Sequence, residues 1–297
     1  MTNFRLQEAA HIAYAHLQIS DLKRSLHFYE DLVGLRRKRT HGRRVALAAS
    51  PEGTPPLLLT EFPGARPKPP RTTGLYHIAI RYPTRRELAR AFKRLYDDGS
   101  EFQGFSDHLV SEAIYLADPD GNGVELYVDR PREAWVSRAG QIEMATEALD
   151  MDNLLGELDE DESASKEADP KTDMGHVHLH VSDLQKAERL YHTTLGFDIT
   201  QRSYPGALFM SAGGYHHHIG VNTWAGRDAS APPAGSAGLL SVGIKVPTRE
   251  TTDVLKKRLD EHQIPYDIQT LDIIQKEVLR VKDPDGTTLE FLSDGAK

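Results

Sequence analysis

Hydrophobic and polar positions along this chain follow a short pattern that recurs. Residues 12–19 read as a strand, and Leu22, Leu26, Tyr29 and Leu32 then recur at helical spacing over 21–32. Asp21 stands where a helix N-cap belongs. Short strand-like runs follow near 35–39, 44–49 and 56–62. The pattern restarts with a strand over 75–82 and a helix over 84–97, whose apolar stripe is Leu88, Ala91, Phe92 and Leu95. Three more strands are expected near 101–108, 112–116 and 123–128. The same order begins again near 175 and near 239. The expected class is therefore α+β, built from four βαβββ modules.

Internal repetition supports this reading. His16-Leu17-Gln18-Ile19-Ser20-Asp21-Leu22 matches His178-Leu179-His180-Val181-Ser182-Asp183-Leu184, and the match continues through Tyr29/Tyr191 and Gly34/Gly196. Pro83-Thr84-Arg85 returns as Pro247-Thr248-Arg249, and Asp118-Pro119-Asp120-Gly121 as Asp283-Pro284-Asp285-Gly286. The two halves are copies. The expected organisation is an N-terminal half over 1–129, with modules at about 10–62 and 73–129, and a C-terminal half over 174–297, with modules at about 174–223 and 238–293. The connector 130–173 has an acidic core at 156–171, poor in aromatics and expected to be partly disordered. The stretch 224–238, rich in Gly, Ala and Pro, reads as a loop.

Composition narrows the function. A net charge of -8 and the lack of a dominant basic stripe argue against nucleic acid. The densest basic run, Arg36 to Arg44, reads as a solvated strand-turn surface. There is no cysteine, which removes thiolate metal sites and cysteine nucleophiles. No apolar run approaches the ~18 residues of a membrane span, and no signal peptide is evident. A cytoplasmic protein working on a small molecule is expected, with homo-oligomerisation left open.

Two imidazoles and one carboxylate converging from separate strands suit a divalent metal with open positions. His77 lies in the first strand of module 2 and Glu125 in its last strand, where Val124 and Leu126 place the carboxylate opposite the apolar face. His16 and His178 lie in the first strands of modules 1 and 3. Module 4 has Ser241 where module 2 has His77, yet keeps Glu290 where module 2 has Glu125. Glu290 reads as a relic or a surface residue.

The stretch from His108 through Tyr115, Asp118-Pro119-Asp120-Gly121 and Glu125 resembles the extradiol ring-cleavage dioxygenase motif, departing from it at Ser106. Tyr215-His216-His217-His218-Ile219-Gly220 resembles the strand that carries the family's acid-base histidine, best matched by His217. Nearly the whole chain is similar to catechol-2,3-dioxygenases of the vicinal oxygen chelate superfamily. That resemblance implies modules paired into two eight-stranded open barrels, and Fe(II), or Mn(II), held by His77, Glu125 and His178. It implies a catecholic or other small phenolic substrate, O2 as co-substrate, and ring opening to a muconic semialdehyde. His217 would act as acid-base, Tyr115 would hydrogen-bond the substrate oxygen, and His108 would donate to substrate or orient Tyr115. Better-known members carry the metal between modules 3 and 4. Here the complete set lies in module 2, so modules 2 and 3 are expected to face each other, with 1 and 4 as a vestigial pair. A pairing of 1 with 2 would make His16 the third ligand. Hydroquinone cleavage, a glyoxalase-type isomerase and a metal-free drug-binding protein are the alternatives on the same fold. The isomerase needs a second carboxylate, and module 3 offers no Glu near Gly220.

Overall fold

The computed structural model describes residues 4–159 and 166–293. Module 1 comprises β1 (His11–Ile19), β2 (Arg36–His41), β3 (Arg44–Ala48) and β4 (Leu57–Glu61), with helix α1 (Leu22–Leu26) after β1. Module 2 comprises β5 (Gly74–Tyr82), helix α2 (Arg85–Asp97), β6 (Phe102–Asp107), β7 (Ser111–Ala117) and β8 (Gly123–Asp129). The connector adds β9 (Ser137–Arg138), β10 (Gln141–Ile142), β11 (Glu147–Ala148) and a short helix α3 (Met151–Leu155). Module 3 holds β12 (Asp173–His180), helix α4 (Leu184–Glu188), β13 (Asp198–Gln201), β14 (Ala207–Ser211) and β15 (Ile219–Asn222). Module 4 holds β16 (Gly238–Lys245), helix α5 (Arg249–Glu261), β17 (Tyr266–Leu271), β18 (Lys276–Lys282) and β19 (Thr288–Leu292).

Each module's helix starts on a side-chain cap. Asp21, Thr84, Asp183 and Thr248 accept from backbone N–H groups two or three residues on. The helix expected over 21–32 is α-helical only to Leu26. It continues as a π-helical turn, His27–Leu32, and its repeat in module 3 does the same over Arg189–Thr194. The wider turn carries Tyr29 and Tyr191 inward, where their hydroxyls donate to Asp118 (3.0 Å) and Asp283 (3.1 Å). Ser20 and Ser182 complete the match through their backbone N–H groups, each 3.0 Å from Asp120 or Asp285. The repeated Ser-Asp-Leu, Tyr and Asp-Pro-Asp-Gly signatures are thus two ends of one clasp. It ties module 1 to module 2 and module 3 to module 4.

The sheets cut across those halves. One runs β17-β18-β19-β16-β1-β4-β3-β2, joining modules 4 and 1. The other runs β11-β6-β7-β8-β5-β12-β15-β14-β13, joining modules 2 and 3. Each sheet curls into the open barrel expected of the fold. The second has nine strands rather than eight, because β11 of the connector pairs with the edge of β6. The connector also carries a short helix ahead of its acidic core. Leu154 of α3 is fully buried against the core, and α3 packs on α2. Residues 160–165, part of its acidic core, lie outside the described residues. Among the described residues no helix is long and apolar enough to cross a membrane.

β1 and β16 repeat the pairing of β12 and β5. His16 sits opposite Ser241 as His178 sits opposite His77. His16, named as an alternative ligand, is therefore placed in the other sheet, with Nε2 2.7 Å from the Thr60 hydroxyl. Burial, and secondarily the Arg44 charge, lower its pKa to about 4. An unfolded chain protonates this imidazole near pH 6.5, whereas the folded chain resists until about 4. The stability it confers is full above 6.5 and is lost as pH falls towards 4. We expect His16→Gln to lose about 2 kcal/mol less stability than the wild type between pH 7.5 and 4.5, read from urea midpoints at both values. Parallel losses in the two proteins would contradict a neutral His16 in the folded chain.

Candidate metal centre and active site

The strand order β12-β5-β8 places three residues in one row across the sheet: His176 opposite Ala79, and Ala79 opposite Glu125. His77 stands two residues before Ala79 on β5 and so shares its face. Alanine in the middle leaves room above it, and the flanking side chains converge there. Glu125 Oε2 is 3.0 Å from His77 Nε2 and 3.1 Å from His176 Nε2. One ligand atom from each of the three residues lies within 4.8 Å of the others, and all three are buried.

A bulge aims His176. Between Met174 and His176 the pairing with β5 slips by one residue, and the extra residue is Gly175. A Cβ there would lie 1.6 Å from the Tyr127 hydroxyl, so only glycine fits. A second slip after His178 leaves Tyr76 as the extra residue of β5, projecting at the cavity mouth with 40% exposure.

Burial alone would raise the Glu125 carboxyl. His176 and His77 outweigh it and hold its pKa well below the usual glutamate range. Burial lowers His176 to about 4, against the pull of Glu125. Among the described residues the buried His77 Nε2 has no hydrogen-bond partner, despite its closeness to the carboxylate. A buried imidazole nitrogen 3.0 Å from a buried carboxylate, beside a second imidazole, fits a divalent cation, which would take a lone pair from each of the three.

Of the residues named from the sequence, His77 and Glu125 meet as expected, and module 2 faces module 3. The third member of the set is His176, not His178. His178 lines the same cavity, but Asn222 Nδ2 donates to its Nε2 at 3.0 Å. Its ring lies over Gly220, where a Cβ would come within 2.9 Å of it. The sequence repeat aligns His178 with His16, whereas the helix caps align a different set. Counted from the helix caps, Tyr14, His77, His176 and Ser241 each stand seven positions before Asp21, Thr84, Asp183 and Thr248. That count was available in the sequence and finds His176.

The same count explains the other barrel. Tyr14 Oη and Ser241 Oγ donate to Glu290 Oε2 at 2.8 and 2.6 Å. Glu290 is 3% exposed, which rules out a surface residue. Two hydroxyls occupy the places of two imidazoles, and Arg280 approaches the carboxylate at 3.5 Å. The pair 1 and 4 keeps the geometry and has exchanged the ligands.

Above the centre lies a cavity of about 410 Å³. Tyr76, Tyr204, Phe209 and Trp224 wall it, and His108, Tyr115 and His217 reach into it. Tyr115 Oη lies 2.7 Å from His108 Nε2. The other nitrogen of His108, Nδ1, is 2.6 Å from the Ala145 carbonyl, which can only accept. Nδ1 therefore carries the proton, Nε2 accepts from Tyr115, and His108 orients the tyrosine. Burial, then the nearby Glu125 carboxylate, push the Tyr115 hydroxyl's pKa well above its usual value. His217 is buried, with its ring 4.1 Å from that of His176. The run His216–His218 precedes β15 instead of lying within it, so strand alternation does not apply and all three rings are buried.

Residues 9–126 and 173–291 match the family model of the Glyoxalase/Bleomycin resistance protein/Dioxygenase superfamily. The chain is 44% identical over 283 residues to a catechol-2,3-dioxygenase of Bacillus subtilis, covering 94% of this chain and 95% of that one. It is 37% identical over 86 residues to biphenyl-2,3-diol 1,2-dioxygenase 3 of Rhodococcus globerulus, 29% of this chain and 40% of that protein. Glyoxalase I from Zea mays superposes with a TM-score of 0.59 at 17% identity, covering 96% and 92% of the two chains; this likeness concerns the fold.

Two outcomes test the centre. Glu125→Gln should weaken binding of Fe(II) or Mn(II) at least about tenfold in anaerobic calorimetry, while Glu290→Gln leaves it unchanged. Equal effects would remove the distinction between the barrels. Ala79→Leu should prise His176 and Glu125 apart and weaken the metal as severely without touching a ligand. Undiminished affinity would mean that the row across Ala79 is not the binding geometry.

Proposed function

Because this chain belongs to the Glyoxalase/Bleomycin resistance protein/Dioxygenase superfamily, we propose that it is an extradiol dioxygenase with Fe(II) held by His77, Glu125 and His176. The observation that carries this reading is the buried group of two histidines and one carboxylate beneath an aromatic-walled cavity. Its size suits a small ring, since cavities for small ligands run from roughly 300 Å³ upward and are mostly apolar with a few fixed polar groups. The catechol-2,3-dioxygenase of Bacillus subtilis, alike over almost its full length, supports the same substrate class.

Iron(II) so bound would supply open positions for a catechol and O2 and the electron transfer that ring cleavage requires. The chain's own residues do the rest. Tyr76, Phe209 and Trp224 hold the ring against apolar walls and exclude water. His217 takes a proton from a substrate hydroxyl and returns it later. Tyr115, held by His108, presents its oxygen to the substrate. Ring opening beside the diol gives a muconic semialdehyde.

Protein purified without air, loaded with Fe(II) and mixed with catechol should consume O2 on aeration and yield a yellow ring-opened product. His217→Ala should lower kcat by about 10²–10⁴ while still binding metal. Tight metal binding without O2 uptake on catechol or methylcatechols would overturn the dioxygenase reading.

A further inference from the structure

His217 is not an isolated base. Its Nδ1 lies 2.8 Å from Nδ1 of His216, and His216 Nε2 lies 2.9 Å from Asp129 Oδ1. The chain Asp129–His216–His217 leads from the barrel's far end to the cavity. We propose that Asp129, acting through His216, sets the tautomer of His217 so that its Nε2 faces the substrate as a proton acceptor.

The direction follows from donor and acceptor counting. Asp129 Oδ2 accepts from Arg81 at 3.0 Å, and the Tyr215 hydroxyl is 3.0 Å from both carboxylate oxygens. Arg81 itself is anchored by two bonds to Asp173. Burial opposes the charge on Asp129, but the His216 hydrogen bond and Arg81 hold its carboxyl below the ordinary aspartate range. An ionised carboxylate only accepts. In a neutral His216 the proton is then on Nε2, facing the carboxylate, and Nδ1 keeps a lone pair. The facing Nδ1 of His217 must donate, so the lone pair of His217 is on Nε2. Aromatic rings fix both planes. Tyr215 and Trp135 lie 4.1 and 5.3 Å from the His216 ring, and Phe209 lies 4.9 Å from that of His217. The arrangement does for His217 what a buried carboxylate does for the base of a catalytic triad, with one more imidazole between them. Asp129 and His216 touch no substrate in this scheme; they are positioning residues.

The catalytic consequence rests on the dioxygenase reading, but the tautomer does not. In Asp129→Asn, Arg81 and Tyr215 would retain the single amide oxygen and turn the NH2 towards His216. The hydrogen bonds would then run the other way, placing the proton on His217 Nε2. The test is 15N NMR of full-length protein labelled at histidine and loaded with diamagnetic Zn(II), with His217 assigned by its loss in His217→Gln. The wild type should show Nδ1–H on His217, and Asp129→Asn should show Nε2–H. In the Fe(II) protein the same variant should lose roughly 10²-fold or more in kcat, with KM changed by less than about threefold and metal affinity unchanged. His216→Gln is the second probe and should leave His217 without a fixed tautomer. A proton on His217 Nε2 in the wild type, or Asp129→Asn losing activity with the tautomer unaltered, would overturn the proposal. So would a second metal per chain abolished by His216→Gln, since His176, His216 and His217 also offer clustered nitrogens. A wild type inactive on catechols but showing the tautomer switch would sink the dioxygenase reading alone.

Discussion

A carboxylate at 2% exposure inside a barrel is the constraint on which the rest of this molecule depends. An unpaired buried charge costs several kcal/mol, so everything around Glu125 has to answer it. The structure does so with two imidazoles brought from two strands, one of which comes from the other half of the chain. That explains why the barrels take one module from each half. A module by itself carries His77 and Glu125 but lacks the second histidine. The equivalent carboxylate in the other barrel, Glu290, is answered by the hydroxyls of Tyr14 and Ser241. One geometric solution is thus used twice, once open to a cation and once closed by hydrogen bonds.

Two sets of connections hold the four modules. The sheets join 1 with 4 and 2 with 3, while the Tyr-to-Asp clasps join 1 with 2 and 3 with 4. Each module is therefore tied to two others. A clasp fixes the two modules of one half to each other, while the β5–β12 pairing joins the two halves at the centre.

The site's polarity is layered. His77, Glu125 and His176 form its base, and aromatic side chains form its walls. His108 lies behind Tyr115 and His216 behind His217, each within hydrogen-bond distance. These supporting contacts use residues that look redundant in the sequence, such as the middle of a histidine run.

Much of this was legible without coordinates. Hydrophobic periodicity marked the strands and helices, because each element buries one face or stripe. The internal repeat marked four modules and pointed to Glu125 with His77, since a copied unit that keeps or loses a ligand displays the change at matched positions. The histidine run was expected within a strand but lies in irregular backbone just before β15, where side chains do not alternate. His176 was passed over for His178 because two histidines two residues apart share a face. Their difference lies in a bulge at Gly175 and in Asn222, which occupies the nitrogen of His178. Strand pairing, bulges and hydrogen-bond partners depend on residues far apart in the chain, so only the tertiary structure could decide which imidazole lies beside Glu125 and which groups stand behind His217.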